Sequence, residues 1–495
     1  MATEGSLGEV LRQPGDLSRP LCVALDGVLI TTRVSWERVA LLFRRRPWLA
    51  IVLPFWLLSG PAGLRRRLKD RVGIEPGTLP YRPGFVDELR RSREVGRKLV
   101  LAAKTDAEIA QAVARHVGLF DAVYTSDGKS GPRAAALKAQ LSSAYPEGFD
   151  YVGHSEGDGA LLAAANKGFV VGATTGGVKL ARNLQNTTVL SKNPSVLRAL
   201  VAELRPHQWA KNALVVLPVL LAPTIPALST LGRALLAAFT FSLCASAGYV
   251  FNDLLDLEAD RLHPAKAKRP FASGALPIIF GFPIFLALLV LSFSLAVACL
   301  PRAFVAMLAL YFIGTLSYSL YLKRLLLLDV LVLAGLYTHR ILSGGVATDV
   351  RISAWLFGFS MFLFTSLAFA KRFVELHAMS KDEKIKNRGY FPVDLPMVTS
   401  MGTASGNIAA LVFMLYVDSS AVRASYREPS LLWLVLPALL YWLGRIWLLA
   451  GRGQMQEDPV KFALRDKQSL ACVAIVGLIA VTARFAPAWL VTLLH

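Results

Sequence analysis

The chain has 495 residues, 54% of them hydrophobic, and a formal net charge of +20, with a mean hydropathy of +0.48. That length implies two or more domains, and the apolar excess over an ordinary soluble protein begins only near residue 212, which excludes a single soluble globule. Lys and Arg cluster in short loops between apolar spans, which points to membrane topology and phosphate binding and away from nucleic acid.

Cys22, Cys244, Cys299 and Cys472 have no metal-binding spacing and read as small apolar residues outside any disulfide framework. The opening MATEGSLGEV lacks the basic-then-apolar pattern of a signal peptide, so insertion is expected to rely on internal helices.

Residues 1–195 are predicted to be α/β, with short apolar strands at 21–24, 98–102 and 149–153 separated by helical segments. This is the pattern of a Rossmann-type parallel sheet, whose ligands sit at the carboxyl ends of strands. Polar residues gather there: Asp26, Lys104 to Asp106, and His154 to Asp158. The run Ala24-Leu25-Asp26-Gly27-Val28 resembles the first motif, DxDGT, of haloacid-dehalogenase-like phosphatases. The resemblance implies that Ala24 stands where the family has its nucleophilic aspartate, while Asp26 keeps the general-acid position. A hydroxyl of the second motif would fall near Ala103 or Thr105, Lys129 would be the third motif's lysine, and His154 and Asp158 would occupy a fourth motif that has lost one metal-binding aspartate. A methyl group cannot attack phosphorus, so this domain is expected to be catalytically inactive.

Residues 47–63 are apolar, contain three prolines and are flanked by Arg44–Arg46 and Arg65–Arg67. They are read as an interfacial hairpin on the membrane, with a buried soluble helix or a true span as alternatives.

From residue 200 onward the chain is expected to be an all-α polytopic bundle of about nine spans, at 212–229, 233–254, 275–299, 302–322, 326–346, 353–370, 399–417, 430–450 and 469–493. Alternate loops are rich in cations, and by the positive-inside rule they face the cytoplasm together with the N-terminal domain of an inner-membrane protein.

The sharpest motif is Asn252-Asp253-x-x-Asp256-x-x-x-Asp260, at the predicted cytoplasmic end of the second span. Helical spacing puts the three aspartates on one face, where mutual repulsion calls for a cation. Oxygen ligands beside phosphate suit Mg2+, and ionisable groups at a membrane helix end are functional by default. A basic loop with Lys266, Lys268 and Arg269 follows at once and suits a metal–diphosphate complex. A solvated helix end, simple topology and a transporter cation site are the competing readings.

This motif with its basic tail resembles the first motif of the UbiA superfamily of intramembrane prenyltransferases, which implies a nine-helix bundle with a cytoplasmic site. The family's second DxxxD element has no counterpart here, because the region reads Ala370-Lys371-Arg372-x-x-Glu375. That departure resembles the decaprenyl-phosphate phosphoribosyltransferase branch, as do four elements at cytoplasmic helix ends. They are Arg205 to Asn212, Tyr318 to Lys323 with Asp329, Lys371-Arg372-x-x-Glu375, and Asp458 to Lys467.

The resemblance implies transfer of phosphoribose from phosphoribosyl pyrophosphate to a polyprenyl phosphate. Asp253, Asp256 and Asp260 would hold Mg2+, supported by Asn252. Lys268, Arg269, Lys371 and Arg372 would neutralise phosphates, and Lys211, Tyr318 and Lys323 would hold the lipid phosphate or the ribose, with Glu375 and Asp466 as further substrate-binding candidates. The runner-up is prenyl transfer from a prenyl diphosphate to an aromatic or other small acceptor. The sequence leaves the oligomeric state, a homo-oligomer included, open.

Overall fold

The computed structural model describes residues 18–45, 56, 63, 67–69, 71–126, 133–222, 226–379, 389–455 and 458–486. The chain forms two compact units, one of residues up to Leu204 with Tyr249–Phe285, the other of Arg205–Gly248 with Leu286 onward.

In the first unit, six strands make one parallel sheet: β1 (Leu21–Ala24), β2 (Leu99–Ala103), β3 (Ala122–Thr125), β4 (Asp150–Gly153), β5 (Gly168–Val170) and β6 (Thr187–Val189). Their spatial order is 3-2-1-4-5-6, the doubly wound order whose switch point lies beside the first strand. β1, β2 and β4 are buried along their whole length, and β1 and β2 read as continuous apolar runs, as central parallel strands do. The helices between strands are α1 (Val34–Arg45), α2 (Phe85–Glu94), α3 (Ala107–Val117), α4 (Arg133–Ala144), α5 (Gly159–Ala164) and α6 (Thr175–Asn183), and α7 (Val196–Leu204) follows β6. β1, β2 and β4 fall within one residue of the sequence expectation.

Of the apolar stretch 47–63, only Trp56 and Gly63 are described; the interfacial-hairpin reading otherwise lies outside the described residues. Trp56 is buried with Val39, Leu42 and Leu68, and the Arg71 guanidinium stands 4.8 Å over its ring. At that position the packing is against the soluble domain's own helix α1.

Eight helices among the described residues are long and apolar enough to cross a membrane, and the protein is a multi-pass membrane protein. Their helical cores are α9 (Leu228–Leu255), α11 (Gly281–Cys299), α12 (Arg302–Leu320), α13 (Leu328–Thr348), α14 (Ala354–His377), α15 (Leu395–Val417), α16 (Val435–Gly451) and α18 (Lys467–Phe485). The expected first span, 212–229, is not one of them. It begins as a 3-10 helix, Pro206–Val215, followed by the five-residue α8 (Leu217–Leu221). Pro218 lies in the first turn of α8, where its missing N–H is tolerated, so the α-helical turn starts there and follows the 3-10 segment.

Within the second unit close approach depends on glycine. A Cβ on Gly344 of α13 would lie 1.9 Å from the Val215 carbonyl oxygen, and one on Gly402 of α15 would strike Trp447 of α16 at 2.2 Å. Small residues at such contacts let membrane helices exploit dispersion where no hydrophobic force drives them together.

The amino edge of the sheet is locked by Arg97 and Asp150, both side chains fully buried and ion-paired. Asp150 also accepts the Lys167 backbone N–H at 3.0 Å. Removing the carboxylate strands a buried guanidinium. Asp150→Ala should destabilise the domain by about 3–5 kcal/mol, read by thermal unfolding of the purified protein, whereas Arg97→Met with Asp150→Leu should cost much less.

Candidate functional site

The acidic motif sits where α9 stops. At 28 residues this helix is about 42 Å long, well over the roughly 30 Å of a bilayer core, so its last turns can clear the hydrocarbon. α9 closes at Leu255, and Asp256 becomes the N-cap of the short α10 (Leu257–Arg261). The Asp256 and Asp260 backbone N–H groups nevertheless donate to the Asn252 and Asp256 carbonyls at 2.9 and 2.8 Å, so the helical register survives the bend.

Asp253 and Asp260 are each 2% exposed. The Arg269 Nη1 donates to both, at 3.0 Å to Asp253 and 2.6 Å to Asp260. Burial pushes the Asp260 carboxyl up from its ordinary value, and the Arg269 cation offsets part of that rise. Asn252 and Asp256 are half-buried, while Lys266 and Lys268 are exposed on the same loop. Among the described residues no three His, Cys, Asp or Glu side chains are grouped as a ready metal cage. Of the three aspartates expected to meet a cation, Asp253 and Asp260 share the Arg269 guanidinium here.

The second unit holds its own polar groups. Asp458 is shared by Lys371 at 3.1 Å and Lys211 at 3.4 Å. Although burial alone would raise it, these lysines hold its carboxyl well below the usual carboxylate range. Lys211 also stands 5.7 Å from the centre of the Tyr337 ring, and Asp458 caps α17 (Pro459–Ala463) by accepting the Val460 and Lys461 N–H groups.

Arg372 is fully buried. It pairs with Asp329 at 2.7 Å and with Glu375, and donates to the Tyr318 hydroxyl at 3.3 Å. Arg372, expected to neutralise phosphate, is enclosed here between two counter-ions, Asp329 and Glu375. Asp466 is likewise a structural cap: it accepts the Ser469 N–H at 2.8 Å and takes a bidentate pair from Arg445 at 2.6 and 3.0 Å. Lys323 is half-buried in the 3-10 turn Leu322–Arg324.

Several groups escaped the sequence reading. Tyr390 donates to Asp329 at 2.8 Å and accepts the Leu327 N–H at 3.1 Å, supporting Leu327 at φ 62°. Arg340, in the body of α13, donates to Asn212 at 2.9 Å and to the Tyr311 hydroxyl at 2.9 Å. A cation inside a membrane helix was itself the missed signal.

At the carboxyl ends of the sheet, Ala24 closes β1 and Asp26 accepts the Val34 N–H at 3.0 Å; burial raises the Asp26 carboxyl. Asp158 pairs with Lys104 and accepts the His154 and Ser155 N–H groups at 2.9 and 3.0 Å. The His154 ring lies against Gly27, where a Cβ would come within 2.4 Å of it. Thr105 and Asp106 lie beside β2, with Asp106 paired to Arg38 at 3.0 Å. Lys129 lies outside the described residues. Ala24, Asp26, His154 and Asp158 thus share one end of the sheet, and no nucleophile stands at position 24.

Comparison with known proteins agrees with this organisation. Residues 213–466 match the UbiA prenyltransferase family. The chain is 34% identical over 471 residues to the uncharacterized protein y4nM of Sinorhizobium fredii, covering 93% of this chain and 90% of that one. It is 35% identical over 271 residues to nodulation protein NoeC of Azorhizobium caulinodans, covering 54% and 88%. It is also 29% identical over 304 residues to decaprenyl-phosphate phosphoribosyltransferase of Mycobacterium tuberculosis, covering 58% and 97%. With a family match over more than half of its length and these relatives matched nearly end to end, the chain belongs to the UbiA prenyltransferase family.

Proposed function

We propose that the protein is a magnesium-dependent transferase that moves 5-phosphoribose from phosphoribosyl pyrophosphate to a polyprenyl phosphate at the cytoplasmic face of the inner membrane. The observation that carries this reading is the buried Asp253–Arg269–Asp260 group where α9 ends and α10 begins, in which two carboxylates share one guanidinium. The mycobacterial relative supports the donor and acceptor by its name, and Lys371 with Arg372, in place of a second acidic pair, supports a donor with more than one phosphate group.

The oxygen-only donor set fits Mg2+, which takes one or two carboxylates and completes its shell with phosphate oxygens and water. Asp253 and Asp256 would hold the ion, with Asn252 beside them, and when bound it would neutralise charge on the leaving diphosphate. Arg269 can shift from the carboxylates to a diphosphate oxygen, with the exposed Lys268 meeting it from the same loop. Lys211 and Lys371, already gathered on Asp458, are suited to a phosphate of their own. A polyprenyl phosphate is an anion at neutral pH, so its oxygen needs no general base to attack ribose C1, and the residues chiefly orient and stabilise charge. Arg372 of α14, through Asp329 of α13, holds the two helices in register for that task.

The second reading, prenyl transfer to a small aromatic acceptor, is favoured by the family match itself. It uses the same acidic motif. Membranes containing the protein, given labelled phosphoribosyl pyrophosphate, Mg2+ and polyprenyl phosphate, should carry label into the lipid phase. Label passing instead from prenyl diphosphate to 4-hydroxybenzoate would establish the second reading. Asp253→Asn with Asp256→Asn should cut transfer roughly 100- to 1,000-fold. Chelation by EDTA should abolish transfer and added Mg2+ should restore it. The N-terminal domain should release no phosphate from phosphoribosylated lipid; release lost in Asp26→Asn would contradict its inactivity.

A further inference from the structure

The mycobacterial relative is matched over 97% of its length by 58% of this chain, which leaves about two fifths of this chain without a counterpart there. The first unit shows what part of that addition touches. Arg261, the residue after Asp260, is nearly buried and makes a bidentate pair with Glu37 of α1, both bonds at 2.8 Å. The same guanidinium donates to the Thr78 carbonyl at 3.2 Å and, through Nε, to the Ala272 carbonyl at 3.1 Å. The Ala272 bond closes the loop 262–271, so one side chain both staples the loop that carries Lys266, Lys268 and Arg269 and ties it to the soluble domain.

Two more contacts repeat the tie. Arg44, the penultimate residue of α1, pairs with Glu258 of α10. Thr31 donates to the Ser273 carbonyl at 2.9 Å, and the next residue, Gly274 at φ +76°, leaves room that a Cβ would fill 2.3 Å from the Thr31 oxygen. Helix α1 is itself anchored. Asp26 accepts the N–H of its first residue, Arg38 holds Asp106 through two bonds of 3.0 Å, and Val39 and Leu42 are buried around Trp56. The strut is rigid at both ends.

We propose that Glu37 is a positioning residue for the transferase, and that the degenerate phosphatase-like domain serves as a clamp holding the acidic–basic segment 253–274 in its donor-binding shape. This rests on the transferase reading above. The chemistry is electrostatic: a paired guanidinium between a carboxylate and two carbonyls fixes the angle at which Asp260 and Arg269 face Asp253. Release of the pair leaves each partner charged and buried, and the loop then takes other shapes.

Hydrogen–deuterium exchange on the full-length protein in lipid nanodiscs tests the clamp without depending on activity. In Glu37→Gln, exchange at residues 258–274 should quicken while β1 and β4 stay protected. In the same preparation the kcat/KM for phosphoribosyl pyrophosphate should fall roughly 10- to 100-fold, with the KM for the lipid acceptor unchanged. Should Glu37→Gln also loosen β1, Arg44→Gln at the more exposed tie carries the same two readouts. Unchanged exchange at 258–274 would overturn the clamp, and faster exchange with unaltered donor kinetics would overturn the positioning role. Wild-type protein that transfers no phosphoribose would sink the transferase reading alone, because the exchange arm would still report on the tie.

Discussion

Two carboxylates buried at the end of a membrane helix, sharing one guanidinium, set the terms for the rest of this protein. Removing a carboxylate from water costs several kcal/mol unless a cation and hydrogen bonds replace the solvent. Asp253 and Asp260 meet that demand through Arg269, nine residues downstream of Asp260. The long α9 delivers the aspartates to the membrane edge, the bend at Asp256 turns the chain back, and the loop returns the arginine. A diphosphate with a divalent ion would offer those carboxylates a different partner and Arg269 a different anion, which makes the arrangement convertible between two charge-balanced states.

The second unit follows the same rule with other residues. In surroundings of low dielectric, an unpaired ionisable group is expensive, and four described cations here are tied down: Lys211 and Lys371 on Asp458, Arg372 on Asp329 and Glu375, Arg340 on Asn212 and Tyr311. Apart from Arg372–Glu375, which lies within one helix, these contacts join segments apart in sequence. They also separate the partly exposed Lys371 from the fully enclosed Arg372.

What could be read from sequence was whatever repeats locally. The apolar run at 21–24 announces a parallel strand because both faces of such a strand are buried, and the aspartate spacing at 253, 256 and 260 announces one helix face. Proline chemistry was legible in principle but was outweighed by hydropathy at 212–229, where Pro218 marks the first turn of a short helix. Long-range pairing was not legible at all. Nothing near Glu37 signals a partner 224 positions away, and a lone Arg372 beside Lys371 reads as a phosphate ligand until Asp329 is found against it. The cap and the Arg445 pair made by Asp466 were likewise hidden, since a helix cap and a substrate ligand are the same residue type in the same place.

The central claim is that the carboxylates ending α9 bind the donor's diphosphate through a divalent ion. Titrating labelled phosphoribosyl pyrophosphate onto the purified protein in nanodiscs, with and without Mg2+, tests it most directly. Saturable binding that requires Mg2+ and disappears in Asp253→Asn is the result expected. Binding of equal strength without the ion, or in that variant, would contradict it.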